Sequence, residues 1–161
     1  MNSFAIRTAT GADIPTIVTH RRAMFEEMGY SDKNALDVMD TKFKPWVTRK
    51  MAGAEYRHWF ATNAAGAIAA GAGVWVMEWA ALPFDQSERR GNLMNVYTER
   101  DFRRLGLAKR LTSTILEWCR ENKIETVTLQ ASDAGRAMYE SLGFRATNEM
   151  MLQLVSGKEL R

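Results

Sequence analysis

One cysteine, three prolines and a surplus of only three positive charges leave this 161-residue sequence short of most features that mark a special class of protein. Cys119 has no second thiol to bridge to, and no Cys/His set carries zinc-ligand spacing. A disulfide scaffold and a zinc module are therefore excluded, and no metal is expected. No apolar run approaches the roughly 20 residues that cross a bilayer. The opening MNSFAIRTAT lacks the basic flank and apolar stretch of a signal peptide, so the expectation is a cytoplasmic protein with no membrane partner. Pro15, Pro45 and Pro83 are scattered, and no repeat, low-complexity tract or linker divides the chain, so residues 1–161 read as one domain.

What is present is ordinary globular composition, 46% hydrophobic and 25% charged. A chain of this size buries on the order of 70% of its unfolded surface. The 22 basic and 19 acidic residues argue little for nucleic acid, because phosphate binding needs basic side chains clustered on one surface.

Along the chain, residues 4–7 alternate like a strand. Thr10 then offers a helix cap, and Asp13 favours the positive end of the helix it starts. Ile14, Ile17, Val18, Ala23 and Phe25 carry that helix to about Met28. Residues 32–54 stay helix-compatible around Pro45, which predicts two short helices or a kinked one. Residues 56–62 and 67–79 flank a turn at 63–66 and predict a hairpin. A polar loop (83–90) and a strand (91–98) follow. Leu107, Ala108, Leu111, Ile115, Trp118 and Cys119 recur at helical spacing. Residues 126–129 read as a strand, 133–142 as a helix stopped at Gly143, and Phe144 with 150–154 as final strand material.

The informative segment is Arg103-Arg104-Leu105-Gly106-Leu107-Ala108, set between a strand and a helix. Its backbone N–H groups form the open first turn of the helix, a ready site for phosphate. Gly106 and Ala108 let a pyrophosphate approach closely, and Arg103, Arg104, Lys109 and Arg110 surround it with charge. Residues 99–110 hold five basic and two acidic side chains, enough to account for the whole surplus. The plainer alternative is a solvated basic helix start. Two other nucleotide motifs fail: Gly71-Ala72-Gly73 lacks the third glycine of a dinucleotide fingerprint, and no Gly-Lys-Ser/Thr run exists. Gly71 and Gly73 read as strand positions.

A second stretch, Ala131-Ser132-Asp133-Ala134-Gly135-Arg136-Ala137-Met138-Tyr139-Glu140-Ser141-Leu142-Gly143-Phe144, changes the weighing. Together the two resemble the GNAT superfamily of N-acetyltransferases, in which a Gln/Arg-x-x-Gly-x-Gly/Ala turn opens a helix and a later helix ends in Tyr-x-x-x-Gly-Phe. The resemblance covers about residues 92–145, with the earlier elements matching in order only. It departs at Ser132, where many members have Asn, and at Gly135, where Ala is common. A serine still donates a hydrogen bond, so the departure bears on that cofactor contact and not on the family.

The resemblance implies an α+β (mixed α/β) fold: a mixed, mostly antiparallel sheet of about six to seven strands, splayed around the cofactor and flanked by about four helices. It implies acetyl-CoA as co-substrate, its pyrophosphate on the amides of Arg104, Leu105, Gly106, Leu107, Ala108 and Lys109 beside Arg103. It places the pantetheine arm along the backbone of Val96, Tyr97 and Thr98, and gives Ser132 a cofactor contact. A backbone N–H near Val96 or Tyr97 then faces the thioester oxygen. Tyr139 takes the general-acid position, or else packs its helix onto the sheet.

The acceptor is expected to be a primary amine, on a small molecule or a peptide, attacking directly in a ternary complex. An alkyl ammonium must first lose a proton, and Glu78 and Glu99 are the candidate bases. His20 and His58 fit structural hydrogen bonding, and Cys119 lies on an apolar face, away from an acyl-carrying role. Helices within 16–51 and the loop 79–90 are expected to hold the acceptor, with Glu26, Glu27 and Asp32 near a cation. Two alternatives stand: a non-catalytic acyl-CoA sensor of the same fold, and a nucleic-acid module resting on Arg100, Arg103, Arg104, Lys109 and Arg110. The family's habit of pairing through late strands adds a homodimer to the expectations.

Overall fold

The computed structural model describes residues 3–154. Strand β1 (Phe4–Thr8) leads through a single 3-10 turn (Gly11–Asp13) into α1 (Ile14–Glu27). Helix α2 (Lys33–Ala52) is followed by β2 (Tyr56–Asn63), β3 (Ile68–Glu78) and β4 (Arg89–Thr98). A second 3-10 turn (Arg100–Phe102) precedes α3 (Leu107–Glu121), β5 (Thr126–Leu129) and α4 (Asp133–Glu140). The sheet runs in order β1-β2-β3-β4-β5. Neighbours are antiparallel except β4 and β5, which are parallel and joined by α3 as the crossover helix.

Local chemistry sets several boundaries. The Asp32 carboxylate accepts from the N–H groups of Asn34 and Ala35 and starts α2, which continues through Pro45 as one helix. Pro45 is on the exposed face, where the carbonyl deprived of its partner meets water, so of the two expected outcomes the division into two short helices does not occur. In the β2–β3 turn, Asn63 Oδ1 accepts from Ala65 and Ala67 N–H at 3.0 and 2.9 Å, and Gly66 takes φ +82°.

Each face of the sheet has its own core. On one side α3 presents Leu107, Leu111, Ile115 and Cys119 to Trp59, Ala61, Ala70, Ala72, Val74 and Leu93, joined by Tyr139 of α4. Complete burial of Leu111 and Ile115 stabilises the packing by about 2 kcal/mol each, several times what intrinsic helix propensity supplies to those positions. On the other side α1 and α2 bring Ile14, Ile17, Phe43 and Val47 onto Tyr56 and Phe60. Among the described residues no helix is long and apolar enough to cross a membrane.

Two sequence expectations are corrected. The sheet has five strands among the described residues, not six or seven. Residues 145–154 form no strand, and Met150, Met151, Leu152 and Leu154 are exposed. Apolar composition supplies strand propensity, but a strand exists only where a neighbour's N–H and C=O groups meet it in register, and none does here.

Gly71 and Gly73 are strand positions, as expected, with a packing reason. They lie on β3 across from Phe60 and His58, on the face that carries the Tyr56 and His58 rings. A Cβ on Gly73 would stand 2.1 Å from Tyr56 Oη and 2.8 Å from His58 Nδ1. G73A is expected to lose about 1–3 kcal/mol or more in urea denaturation, the range for overpacking a filled core. A midpoint equal to wild type would show that the two rings move aside at no cost.

Candidate active site

The site is built around a defect in β4. On its β5 side, β4 is paired only from Arg90 to Leu93, against Thr126 to Leu129. All four residues of β5 are used in that pairing and β5 ends at Leu129, so residues 94–98 run on without a strand partner on that side and leave backbone polar groups open there. On its β3 side the register shifts: Met94 lies opposite Gly73 and Tyr97 opposite Gly71, so Asn95 and Val96 together face Ala72. This is a β-bulge, and Asn95 sits in it at φ +55°, a conformation that L-residues other than Asn and Asp seldom adopt.

Below the bulge lies a buried polar chain that the sequence did not signal. Asn95 is 2% exposed. Its Oδ1 accepts from Arg21 Nη1 at 2.6 Å, and its Nδ2 donates to Tyr56 Oη at 2.9 Å. Tyr56 Oη lies 2.9 Å from His58 Nδ1. Because Asn95 already donates to the phenol oxygen, the phenol O–H donates onward to Nδ1, and neutral His58 carries its proton on Nε2. That nitrogen is buried without a hydrogen-bond partner. Burial holds His58 neutral, its pKa pushed down to about 3, and raises that of the Tyr56 phenol.

Beside this chain, buried His20 places Nε2 3.1 Å from Glu99 Oε1 and packs against Tyr97 and Phe60. Burial lowers the His20 pKa, and the Glu99 carboxylate opposes that shift. Glu99 opens onto a cleft of about 440 Å³ lined by Ala23, Glu26, Glu27, Tyr97, Arg100 and Asp101. Of the two carboxylates read as candidate bases, only Glu99 is brought here. Glu78 is exposed at the other end of the sheet, opposite Arg89, whereas Thr98 lies opposite Ala70. That separation is roughly 25 Å of strand.

Eight residues past the end of β4, Gly106 caps α3 in the left-handed region at φ +73°, preceded by Arg104 at φ +62°. No side chain caps this helix, so the N–H groups of Leu107, Ala108 and Lys109 are left open in its first turn. A Cβ on Gly106 would meet nothing within 4 Å, so the glycine is needed for its backbone angle and the space above it is free. Leu107 is buried in the core and offers only its backbone, while Leu105 is exposed.

The cations around this turn divide into two sets. Arg103 is clasped by Glu27, with Nη2 at 2.8 and 2.6 Å from the two carboxylate oxygens, and its Nε donates to Thr98 O at 3.1 Å. Arg100 Nε donates to the same carboxylate at 3.1 Å, and Arg110 Nη1 donates to Phe4 O at 2.8 Å. Arg104 and Lys109 are exposed and make no ion pair among the described residues. The sequence counted five equivalent cations here; the fold leaves two of them free. Ser132 caps α4 by accepting from Gly135 N–H at 3.2 Å, which leaves its O–H as a donor. Tyr139 is 9% exposed, its pKa raised by burial, and lines a cleft of about 260 Å³ with Val127, Leu129 and Arg136. Cys119 is buried, its thiol pushed up to about 11 by desolvation, which makes it a poor nucleophile. Among the described residues no His, Cys, Asp and Glu cluster is set to hold a metal.

Comparison with known proteins adds an independent line. The model of the acetyltransferase (GNAT) family matches residues 18–144. Human N-acetyltransferase 8 is 34% identical over 77 residues, 43% of this chain, and the match spans 33% of that protein's length. A GCN5-related N-acetyltransferase from Ralstonia eutropha JMP134 superposes with a TM-score of 0.88 at 28% identity, over 94% of this chain and 99% of that one. A protein from Clostridium acetobutylicum described as a predicted acetyltransferase, solved with acetyl-CoA, gives 0.85 at 24% identity, over 94% and 96% of the two chains.

The buried histidine has a consequence for stability. Unfolding returns His58 to its ordinary value of 6.5, so below that pH the unfolded chain binds a proton that the folded protein refuses. Stability is complete above pH 6.5 and falls toward pH 3 by up to about 1.4 kcal/mol per pH unit. His20 acts with the same sign, whereas Asp13, its carboxyl held low by Arg7, adds a loss only below its ordinary 3.8. Denaturant titrations between pH 6.5 and 4 are expected to show the slope, reduced by about one proton in H58N. An equal slope in the variant would contradict the assignment.

Proposed function

The chain belongs to the GNAT acetyltransferase family, and from that premise we propose that it transfers the acetyl group of acetyl-CoA to a primary amine by direct attack. One observation carries the reading: the unpartnered backbone of residues 94–98 leads along β4 into the uncapped turn at Gly106. An extended arm with a phosphate at its end needs both, a line of amide donors and acceptors and then a cluster of open N–H groups. Arg104 and Lys109 supply free charge there, and Arg103, held by Glu27, braces the turn against α1. Acetyl-CoA contributes an activated thioester; the remaining steps belong to this chain.

A backbone N–H of Val96 or Tyr97 meets negative charge as it develops on the acyl oxygen. Such donors are fixed before the reaction and typically contribute 10²–10³-fold, roughly 3–4 kcal/mol. Tyr139, kept protonated by burial, gives its proton to the departing sulfur as the C–S bond breaks. Glu99, anchored by His20, takes the proton of the attacking nitrogen, directly or through one water. Four carboxylates and one arginine line the adjoining cleft, which favours an acceptor that arrives as a cation. Glu27 pairs with two of the five arginines and lysines on which a nucleic-acid reading rests and cancels one of their charges, and this weighs against that alternative.

Isothermal titration is expected to detect acetyl-CoA binding, lost by at least about tenfold in G106V, where a β-branched residue cannot hold a positive φ. Y139F is expected to keep the affinity and lower turnover of an amine by about 10²-fold. Absence of binding at millimolar acetyl-CoA would overturn the proposal. Binding without turnover on a broad amine panel would move it to a sensor domain.

A further inference from the structure

Resting on the acetyl-CoA reading, we infer that Asn95 is a positioning residue: clamped between Arg21 and Tyr56, its side-chain amide fixes the direction in which β4 presents the N–H groups that follow the bulge. The bulge by itself needs only a residue that tolerates φ +55°, and an exposed Asn or a Gly would serve. This Asn is instead buried, and both ends of its amide are matched. The oxygen takes a guanidinium proton at 2.6 Å, and the nitrogen meets a phenol oxygen at 2.9 Å. The amide plane is thereby locked in rotation as well as in place.

The surroundings are committed to the same end. Arg21 is itself half-buried, sandwiched on Phe25 and Phe43 at 4.9 and 4.6 Å from their centroids, with Nε buried and unpartnered. Losing the Asn95 oxygen would leave this charge without that acceptor, a costly outcome in a buried setting. Tyr56 is turned toward Asn95 by His58, and both rings occupy space that Gly71 and Gly73 leave empty. Elements α1, β2, β3 and β4 therefore converge on one amide. The peptides immediately after it, at Val96 and Tyr97, lie past the end of β5, where β4 has no strand partner on that side. Asp in its place would present two acceptors and draw the Tyr56 proton away from His58, so shape alone does not substitute.

The test separates this role from folding and from cofactor binding in general. A donor aimed at the thioester oxygen distinguishes acetyl-CoA from CoA, whereas the turn at Gly106 meets the same phosphates in both. The dissociation constants of both ligands are measured by titration calorimetry for wild type, N95G, N95D and Y56F, with Tm recorded for each. N95G keeps the left-handed backbone and removes the clamp. Y56F deletes one oxygen and leaves the ring packed against Trp46. The expected result is that wild type prefers acetyl-CoA and that the variants lose roughly two- to tenfold of that preference, the worth of one hydrogen bond, while CoA affinity changes less than twofold. Loss of the clamp lowers Tm in either case, so the ligands decide: a purely structural role would weaken both alike. A wild type without preference, or variants that retain it, would overturn the inference and leave acetyl-CoA binding standing. A wild type that binds neither ligand would overturn both.

Discussion

Everything distinctive in this molecule depends on the left-handed turn of the backbone at Asn95. A fully extended β4 would oppose β3 residue for residue. The bulge places two residues of β4 against Ala72, and β4 then runs on past the end of β5 after Leu93. Its backbone on that side is left without a strand partner, the arrangement that the proposed site for an extended thioester arm requires. The cost of the unfavourable backbone is about 1 kcal/mol, and the two hydrogen bonds of the Asn95 side chain more than offset it.

The clamp also explains features that otherwise look unrelated. Gly71 and Gly73 stand in β3, where glycine weakens a strand, because Tyr56 and His58 need the room. A histidine with one unsatisfied nitrogen stays in the core because its other nitrogen orients the Tyr56 hydroxyl. Glu27 performs a comparable task at the surface. By holding Arg100 and Arg103 it ties the end of α1 to the turn that opens α3, so the acidic cleft and the open turn at Gly106 are braced by one carboxylate. The charge at that turn is thus less than the sequence total suggests.

The elements with strong local signals were legible in the sequence. The apolar stripe of Leu107, Leu111, Ile115 and Cys119 predicts α3, and Arg103 to Ala108 predicts an open helix start. The Asn63 turn predicts the hairpin. What stayed hidden depends on contacts between distant residues. Nothing near Asn95 marks it as special, because its partners lie 74 and 39 residues away. The pairing of Glu27 with Arg103, across 76 residues, is equally silent. Pro45 left two short helices or one kinked helix open, and only the fold selects a single helix, since its exposed position allows water to replace the lost bond. The apolar stretch after Met150 likewise predicts a strand that has no partner among the described residues.

On the proposed function, the open amides of β4 and of the α3 start form one continuous surface for acetyl-CoA. Amide hydrogen exchange, measured residue by residue with and without acetyl-CoA, tests it most directly. The account predicts new protection at residues 96–98 and 105–109 together, with little change in β1 and β2. Protection confined to other elements, or present at only one of the two segments, would contradict it.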